Sequence, residues 1–401
     1  MVGVNAPGRA LRGIAIGCVV LVGCTQPIDG GVVRRDGSTA PVTPSTAASP
    51  SAPAAATSAD TSFTPRLTDT VIQSGLAIPW DLAFAPDGRM FVTERAGTIL
   101  VFESGALNAR RLSATAVPQM RATGEAGLMG IALDPAFAAN GRLYVCASRT
   151  DEGEWRNQVL RYRAAGDTLT FDGYVIRTGM GAASIHDGCR VRFGADGKLW
   201  VTMGENGNAA LAQDPNSLNG KVLRVETDGR VPADNPILPG AAGRTVVYTM
   251  GNRNPQGLAV QPGTGAMFEV EHGASTHDEI NLLLPGRNYG WPTQQGPGGT
   301  AKGFTDPLWS SGAATLATSG GTFVSGPQWG AWSGSLFVCT LKEQDLRRFA
   351  VTGTIVAPAE ILFDQKYGRL RTPVLGPDGA LYLTTSQGSG DRIIRVAAAR
   401  P

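Results

Sequence analysis

An apolar, strand-like run meets a glycine turn and then a second such run six times along the 401 residues, and no other feature constrains the fold as tightly. The turns fall at Pro86-Asp87-Gly88, Asn140-Gly141, Ala195-Asp196-Gly197, Gly263-Thr264-Gly265, Ser333-Gly334 and Pro377-Asp378-Gly379. Alternating segments follow them, such as Met90-Phe91-Val92-Thr93 and Leu381-Tyr382-Leu383-Thr384. Asp-Gly and Asn-Gly supply the positive φ of a two-residue hairpin turn, so the repeat has a mechanism as well as a pattern. A period of roughly fifty to seventy residues is one four-stranded blade plus insertions. The expectation is an all-β, six-bladed β-propeller with a central channel and functional loops at one mouth.

The 53 glycines and 42% hydrophobic content suit one large all-β domain. A formal charge of +2, with no Lys/Arg run interleaved with aromatics, argues against nucleic acid as a partner. Arg9 and Arg12 precede the apolar stretch Ile14 to Val22, which is too short to span a bilayer and matches an export signal over residues 1–23. It ends in Leu21-Val22-Gly23-Cys24, the form of a bacterial lipobox. The small Gly23 fits the peptidase and the Cys24 thiol carries the lipid. An ordinary secretory signal with an incidental cysteine is the alternative. Acyl chains contribute about 0.8 kcal/mol per buried methylene, enough in twos or threes to hold a protein on the extracytoplasmic face of the cell membrane. Residues 24–65 are rich in Ala, Pro, Ser and Thr and predict a disordered tether reaching about 35 Å, with the propeller over 66–401.

Beyond the signal and Cys24, three cysteines remain: Cys146, Cys189 and Cys339. An odd number leaves at least one unpaired. Cys146 and Cys339 close strand patterns, Leu143-Tyr144-Val145-Cys146 and Leu336-Phe337-Val338-Cys339, and read as inert buried thiols. No CxxC pair exists to support zinc.

All three histidines fall in polar loop segments. His186 opens His186-Asp187-Gly188-Cys189-Arg190 just before the third hairpin, and Gly204-Glu205-Asn206-Gly207-Asn208 follows that hairpin's second strand. A hairpin can return Glu205 to His186, and a carboxylate that orients an imidazole makes a general base. Taken alone, a loop histidine is more often a solvated or structural residue. Met250-Gly251-Asn252-Arg253-Asn254-Pro255-Gln256-Gly257-Leu258 crowds donors into the entry of the fourth blade, where they face an anion or simply a solvated turn. The run Glu269 to Asn281, followed by Asn288-Tyr289-Gly290-Trp291-Pro292, offers oxygens at a density that suits calcium.

Together these segments resemble the soluble pyrroloquinoline-quinone-dependent aldose dehydrogenases, the glucose/sorbosone dehydrogenase family, which are six-bladed propellers. The resemblance spans about Leu76 to Val396. It is carried also by Gly124-Glu125-Ala126-Gly127-Leu128-Met129-Gly130, Gly220-Lys221-Val222-Leu223-Arg224, Asp278-Glu279-Ile280-Asn281 and Arg369-Leu370-Arg371. It implies that His186 takes the proton of the sugar's anomeric hydroxyl while hydride passes to the quinone, with Glu205 beside it. Arg253 would stabilise charge on the quinone oxygen, with Asn254 nearby and Glu125 where the family often has Gln. Lys342, Arg369 and Arg371 would hold the cofactor's carboxylates. Gly273 and Ala274 match carbonyl ligands of the cofactor-linked calcium, and Glu279 and Tyr289 a second calcium site.

Four positions depart from the family pattern: Asn252 for a histidine, Cys189 for glycine, Ala274 for proline and Thr372 for aspartate. A thiol three residues after the base is expected to add bulk where quinone or sugar should sit. The leading expectation is a lipid-anchored quinoprotein that oxidises an aldose to its lactone, with a small sugar as substrate and an external electron acceptor. The rivals are a cofactor-free propeller of the same ancestry acting as a cell-envelope binding module, and a calcium-dependent lactonase.

Overall fold

The computed structural model describes residues 62–401. The expected signal, Cys24 and the tether as far as residue 61 lie outside the described residues. Among those described, 24 strands form six four-stranded antiparallel sheets, the six blades predicted from the glycine turns. Blades 1 to 5 take residues 79–116, 128–176, 191–250, 255–310 and 318–362 in chain order. Blade 6 combines Leu370–Leu375, Leu381–Thr385 and Asp391–Ala399 with the first strand of the fold, Arg66–Leu76. That strand runs antiparallel to the last, from Arg66 opposite Ala399 to Leu76 opposite Asp391, so backbone hydrogen bonds between the two ends of the propeller close the ring. Contacts with the propeller reach ahead of its first strand. Phe63 accepts a hydrogen bond from the Ala331 N–H at 2.9 Å, and Pro65 is buried.

Each blade is buried on both faces, which explains why the central strands read as nearly unbroken apolar runs. In blade 1, Met90 and Val92 face blade 6 beside Tyr382 and Ile393, while Phe91 and Ile99 face blade 2 beside Ile131 and Val145. One apolar cluster fills each of the six inter-blade interfaces. Each large side chain so buried contributes roughly 1.5–3 kcal/mol.

The glycine turns all join the first and second strands of a blade. They are not the two-residue turns expected. In blades 1, 3 and 6 the strands close one pair further out, as where Ala85 N donates to Arg89 O at 2.8 Å, and Gly88 N donates back to Ala85 O at 2.9 Å with φ of +92°. This is the three-residue loop with glycine in the left-handed position. Its aspartate then anchors the blade: Asp196 accepts from Trp200 Nε1 (3.4 Å) and Arg224 Nε (2.7 Å), and Asp378 accepts from Tyr382 Oη (3.0 Å) and Arg395 Nε (2.7 Å).

Two cysteine expectations are corrected. Cys146 is not a thiol but is joined to Cys189 in a disulfide, with both residues fully buried in the cluster between blades 2 and 3. Strand periodicity buries Cys146 but does not say what it faces across the interface. The Cys189 sulfur is therefore held within the inter-blade core. Cys339 is free and buried, as its strand pattern indicates.

Candidate active site

Because successive strands are antiparallel, the start of each first strand and the end of each second strand meet at one mouth of the ring, opposite the glycine turns. The segments that carry His186, Glu205, Arg253, Glu125 and Arg371 sit at these points. His186 precedes Val191–Phe193 and Glu205 follows Leu199–Met203, strands paired with Val191 opposite Val201. The hairpin brings His186 Nδ1 within 2.7 Å of Glu205 Oε1. Against a carboxylate acceptor Nδ1 is the donor, an arrangement that in the neutral imidazole leaves the lone pair on Nε2. The imidazole is held by its backbone as well. His186 N–H donates to Glu125 Oε2 at 3.0 Å, and the His186 carbonyl accepts from Asn206 N–H at 3.2 Å. The loop passes so close that a Cβ on Gly204 would lie 2.0 Å from the His186 carbonyl oxygen, which demands glycine there.

Glu125 joins the loops. Its Oε2 also accepts from Asn254 Nδ2 at 3.0 Å and Gln256 Nε2 at 3.4 Å, while Asn254 Oδ1 accepts from Gly188 N–H at 3.2 Å. Arg253 lies one residue away, its carbonyl accepting from Glu205 N–H at 2.9 Å. Its guanidinium donates to the carbonyls of His272 (3.0 Å) and Gly273 (2.7 Å) and lies 5.5 Å from the Trp291 ring centre. Burial pushes Arg253 below its ordinary pKa, against the pull of Glu271, Glu205 and Glu125.

A cavity of about 260 Å³ opens at this mouth, lined by Arg95, Glu125, Gln256, His272, Arg369 and Arg371 among others. Arg371 is buried, donates to the neutral Ser386 Oγ (3.1 Å) and Gln256 Oε1 (3.2 Å), and is pushed down to about 9 by burial and then by Arg190. Arg369 meets only carbonyls, those of Ser386 (3.2 Å) and Leu341 (3.4 Å). Lys342 does not join them. It is half-exposed, donates to the Thr315 carbonyl at 2.9 Å and lies 3.7 Å from Glu343, outside the residues that line the cavity. The three guanidiniums face a single lining carboxylate, which fits a planar polyanion such as pyrroloquinoline quinone.

The segment expected to hold calcium forms a buried acidic face between blades 3 and 4. Glu269 pairs with Asn281 and Glu271 with Glu279, so their side chains make a grid on one face of the sheet. Burial first, and the Glu271 charge second, raise Glu269 well above the usual carboxylate range and Glu279 to about 8. Oxygens of Glu269, Asn252, Asn281 and Gln295 are buried with no hydrogen-bond partner among the described residues. Glu271, Glu279, Gly273 and Tyr289 line a space of about 10 Å³, about the size for one water or ion. Gln295 also lines this space, so one orphaned acceptor meets two carboxylates there, a donor set that suits a hard cation, although Arg253 lines the space as well. No group of three His, Cys, Asp or Glu side chains among the described residues is arranged as a metal cluster, so carbonyls would have to complete the shell. Tyr289 spends its hydroxyl on the Leu282 carbonyl, leaving only its backbone for that purpose. Gly273 O is already engaged by Arg253, and Ala274 is exposed.

The other departures have structural explanations. Thr372 Oγ1 donates to the Trp80 carbonyl at 2.7 Å, and Asn252 Nδ2 to Glu271 Oε2 at 3.0 Å. Sequence reasoning gave no role to Arg95, to the cavity-lining His272, or to Gln256, which bridges Glu125, Arg371 and Ser319. Their common signal is position at the end of a second strand or the start of a first.

The sequence profile described as Glucose / Sorbosone dehydrogenase matches residues 76–395. The chain is 32% identical over 342 residues to the Aldose sugar dehydrogenase YliI of Escherichia coli (strain K12), across 80% of this chain and 90% of that protein. The PQQ-bound aldose sugar dehydrogenase of Streptomyces coelicolor superposes with a TM-score of 0.70 at 32% identity, over 83% of this chain and 98% of that one. The apo-form soluble aldose sugar dehydrogenase of Escherichia coli does so with a TM-score of 0.73 at 29% identity, over 83% and 99%. The chain belongs to the glucose/sorbosone dehydrogenase family, the soluble pyrroloquinoline-quinone-dependent sugar dehydrogenases.

Proposed function

We propose that this protein oxidises an aldose at its anomeric carbon to the lactone, using pyrroloquinoline quinone with calcium, and passes the electrons to an external acceptor. The observation that carries the reading is the hydrogen-bonded His186–Glu205 pair at the same mouth as a cavity lined by Arg95, Arg369 and Arg371. When bound, the quinone supplies the two-electron acceptor for the C1 hydride. His186 Nε2 takes the proton of the C1 hydroxyl, so that the C1–O bond becomes a carbonyl and no free oxyanion forms. Glu205 holds the tautomer and stabilises the imidazolium, a contribution of about 10²–10⁴ in rate for a positioned base. Arg253, joined to the pair through its carbonyl and Glu205 N–H, would present positive charge to the developing quinone oxyanion, where partial burial strengthens its field. Arg369 and Arg371 hold carboxylates, and the oxygens around Glu279 and Gly273 hold calcium.

The cofactor-free reading loses its motive, since Cys189, Asn252 and Thr372 each have a partner that turns them to a structural use. Anchoring through Cys24 on the extracytoplasmic face belongs to the same proposal, supported by the lipobox alone. The test is to reconstitute the purified protein with quinone and calcium and to assay aldose-dependent dye reduction, with calorimetry for quinone binding. Sugar-dependent reduction that needs both additions is expected. Absence of quinone binding and of activity across a broad aldose panel refutes the reading, and lactone hydrolysis without quinone replaces it with a lactonase.

A further inference from the structure

We propose that Arg95, supplied by blade 1, is a third guanidinium that binds a carboxylate of the quinone, in the role that the family resemblance gives to Lys342. The inference rests on the quinone-dependent reading above. Arg95 follows the second strand of its blade, Met90–Glu94, and so stands at the functional mouth. It lines the cavity beside Arg369 and Arg371.

Its backbone is fixed on both sides, with its N–H donating to the Ile78 carbonyl at 3.1 Å and its carbonyl accepting from Leu128 N–H at 2.9 Å. The side-chain stem lies against Gly127, where a Cβ would come within 2.6 Å of Arg95 Cγ and 2.3 Å of its carbonyl oxygen. The glycine of the Gly124 to Gly130 motif thus makes room for this arginine. The guanidinium itself makes no hydrogen bond or ion pair with any described residue. Asp391, the acid besides Glu125 whose charge acts on it, is not available to it. Its Oδ1 accepts from Thr385 Oγ1 (2.6 Å) and Gln387 N–H (2.7 Å), and its Oδ2 from Ile78 N–H (3.0 Å) and Gly388 N–H (3.1 Å).

A half-buried guanidinium with no hydrogen-bonded partner, set beside another of like charge, is unfavourable, and burial, aided by Arg369 and opposed by the Glu125 charge, pushes Arg95 below its ordinary pKa. An entering carboxylate relieves that cost. A planar guanidinium meets a carboxylate in the forked geometry that a lysine ammonium cannot. Lys342, turned to Thr315, is the weaker contributor.

The test is direct titration of the full-length apo protein with quinone in excess calcium, by calorimetry, for the wild type and the R95Q, R95K, K342Q and R110Q variants. Arg110 is an exposed blade 1 arginine near Glu103 and controls for net charge. R95Q should weaken quinone binding about 10- to 100-fold, as loss of a charged hydrogen-bond pair does. R95K should fall between R95Q and wild type, K342Q should weaken binding less than R95Q, and R110Q should match wild type. Near-ultraviolet dichroism equal to wild type excludes misfolding of R95Q. Wild-type binding with R95Q equally tight, or R110Q as weak as R95Q, overturns this inference alone. No binding by wild type overturns the quinone-dependent reading and this inference with it.

Discussion

Glu205 Oε1 lies 2.7 Å from His186 Nδ1, and the two residues hang from opposite ends of one hairpin, 19 positions apart. The carboxylate is almost fully buried and the imidazole only slightly open, so the pair is held in place. Glu205→Gln keeps the shape but offers an amide that can donate to Nδ1, which favours the wrong tautomer. The expected outcome is a fall in kcat of about 10²-fold or more with quinone affinity changed less than about threefold. Steady-state rates at saturating sugar and quinone, set beside calorimetric binding, check it.

The Cys146–Cys189 bond ties the His186 loop of blade 3 to the second strand of blade 2. Closing a loop of 43 residues removes, on the chain-entropy account, about 4 kcal/mol of unfolded-state freedom. The double variant C146S/C189S should unfold about 5–10 °C lower by calorimetry. Peptide mapping without reductant should recover the two cysteines in one linked fragment.

The repeat made the six blades legible because a glycine turn leaves a local signature, and His186 with Glu205 was legible because one short hairpin separates them. Partners from different blades were not. Cys146 was visible as a buried strand residue, but nothing local says that Cys189 faces it. That Arg95 and not Lys342 lines the cavity was not legible either, because a side chain's direction at a strand end is set by the loop and not by its type. The alternation of Glu269, Val270 and Glu271 puts the two acids on one face of a strand. In the ring that face is covered by the neighbouring blade, and all three residues are buried.

Asp187, next to the base, is buried and raised to about 7, chiefly by desolvation against the pull of its Asn157 and Ala183 hydrogen bonds. Unfolded, an aspartate releases its proton near about 3.9. Between those values the folded chain binds more protons than the unfolded one, so this residue makes stability fall as pH rises from about 4 to 7, after which its effect is flat. Asp187→Asn keeps the acceptor oxygen without the titration. Denaturant unfolding at pH 5 and pH 8 should show wild type losing more stability than D187N between the two.

Glu279 offers the sharpest test of calcium. Raised to about 8, it holds its proton at pH 7 when no cation is near, because burial and the neighbouring Glu271 oppose its charge. A calcium ion binds the carboxylate and not the acid, so it must displace that proton. Binding at pH 7 should release about one proton per ion. The apparent affinity should strengthen as pH rises from 6 to 8. Calorimetry in two buffers of different ionisation heat reads the release directly. Glu279→Gln should abolish it and weaken calcium binding about tenfold or more, the loss expected when a hard cation gives up an anionic ligand. Calcium binding by the wild type without proton release would remove Glu279 from the ligand set.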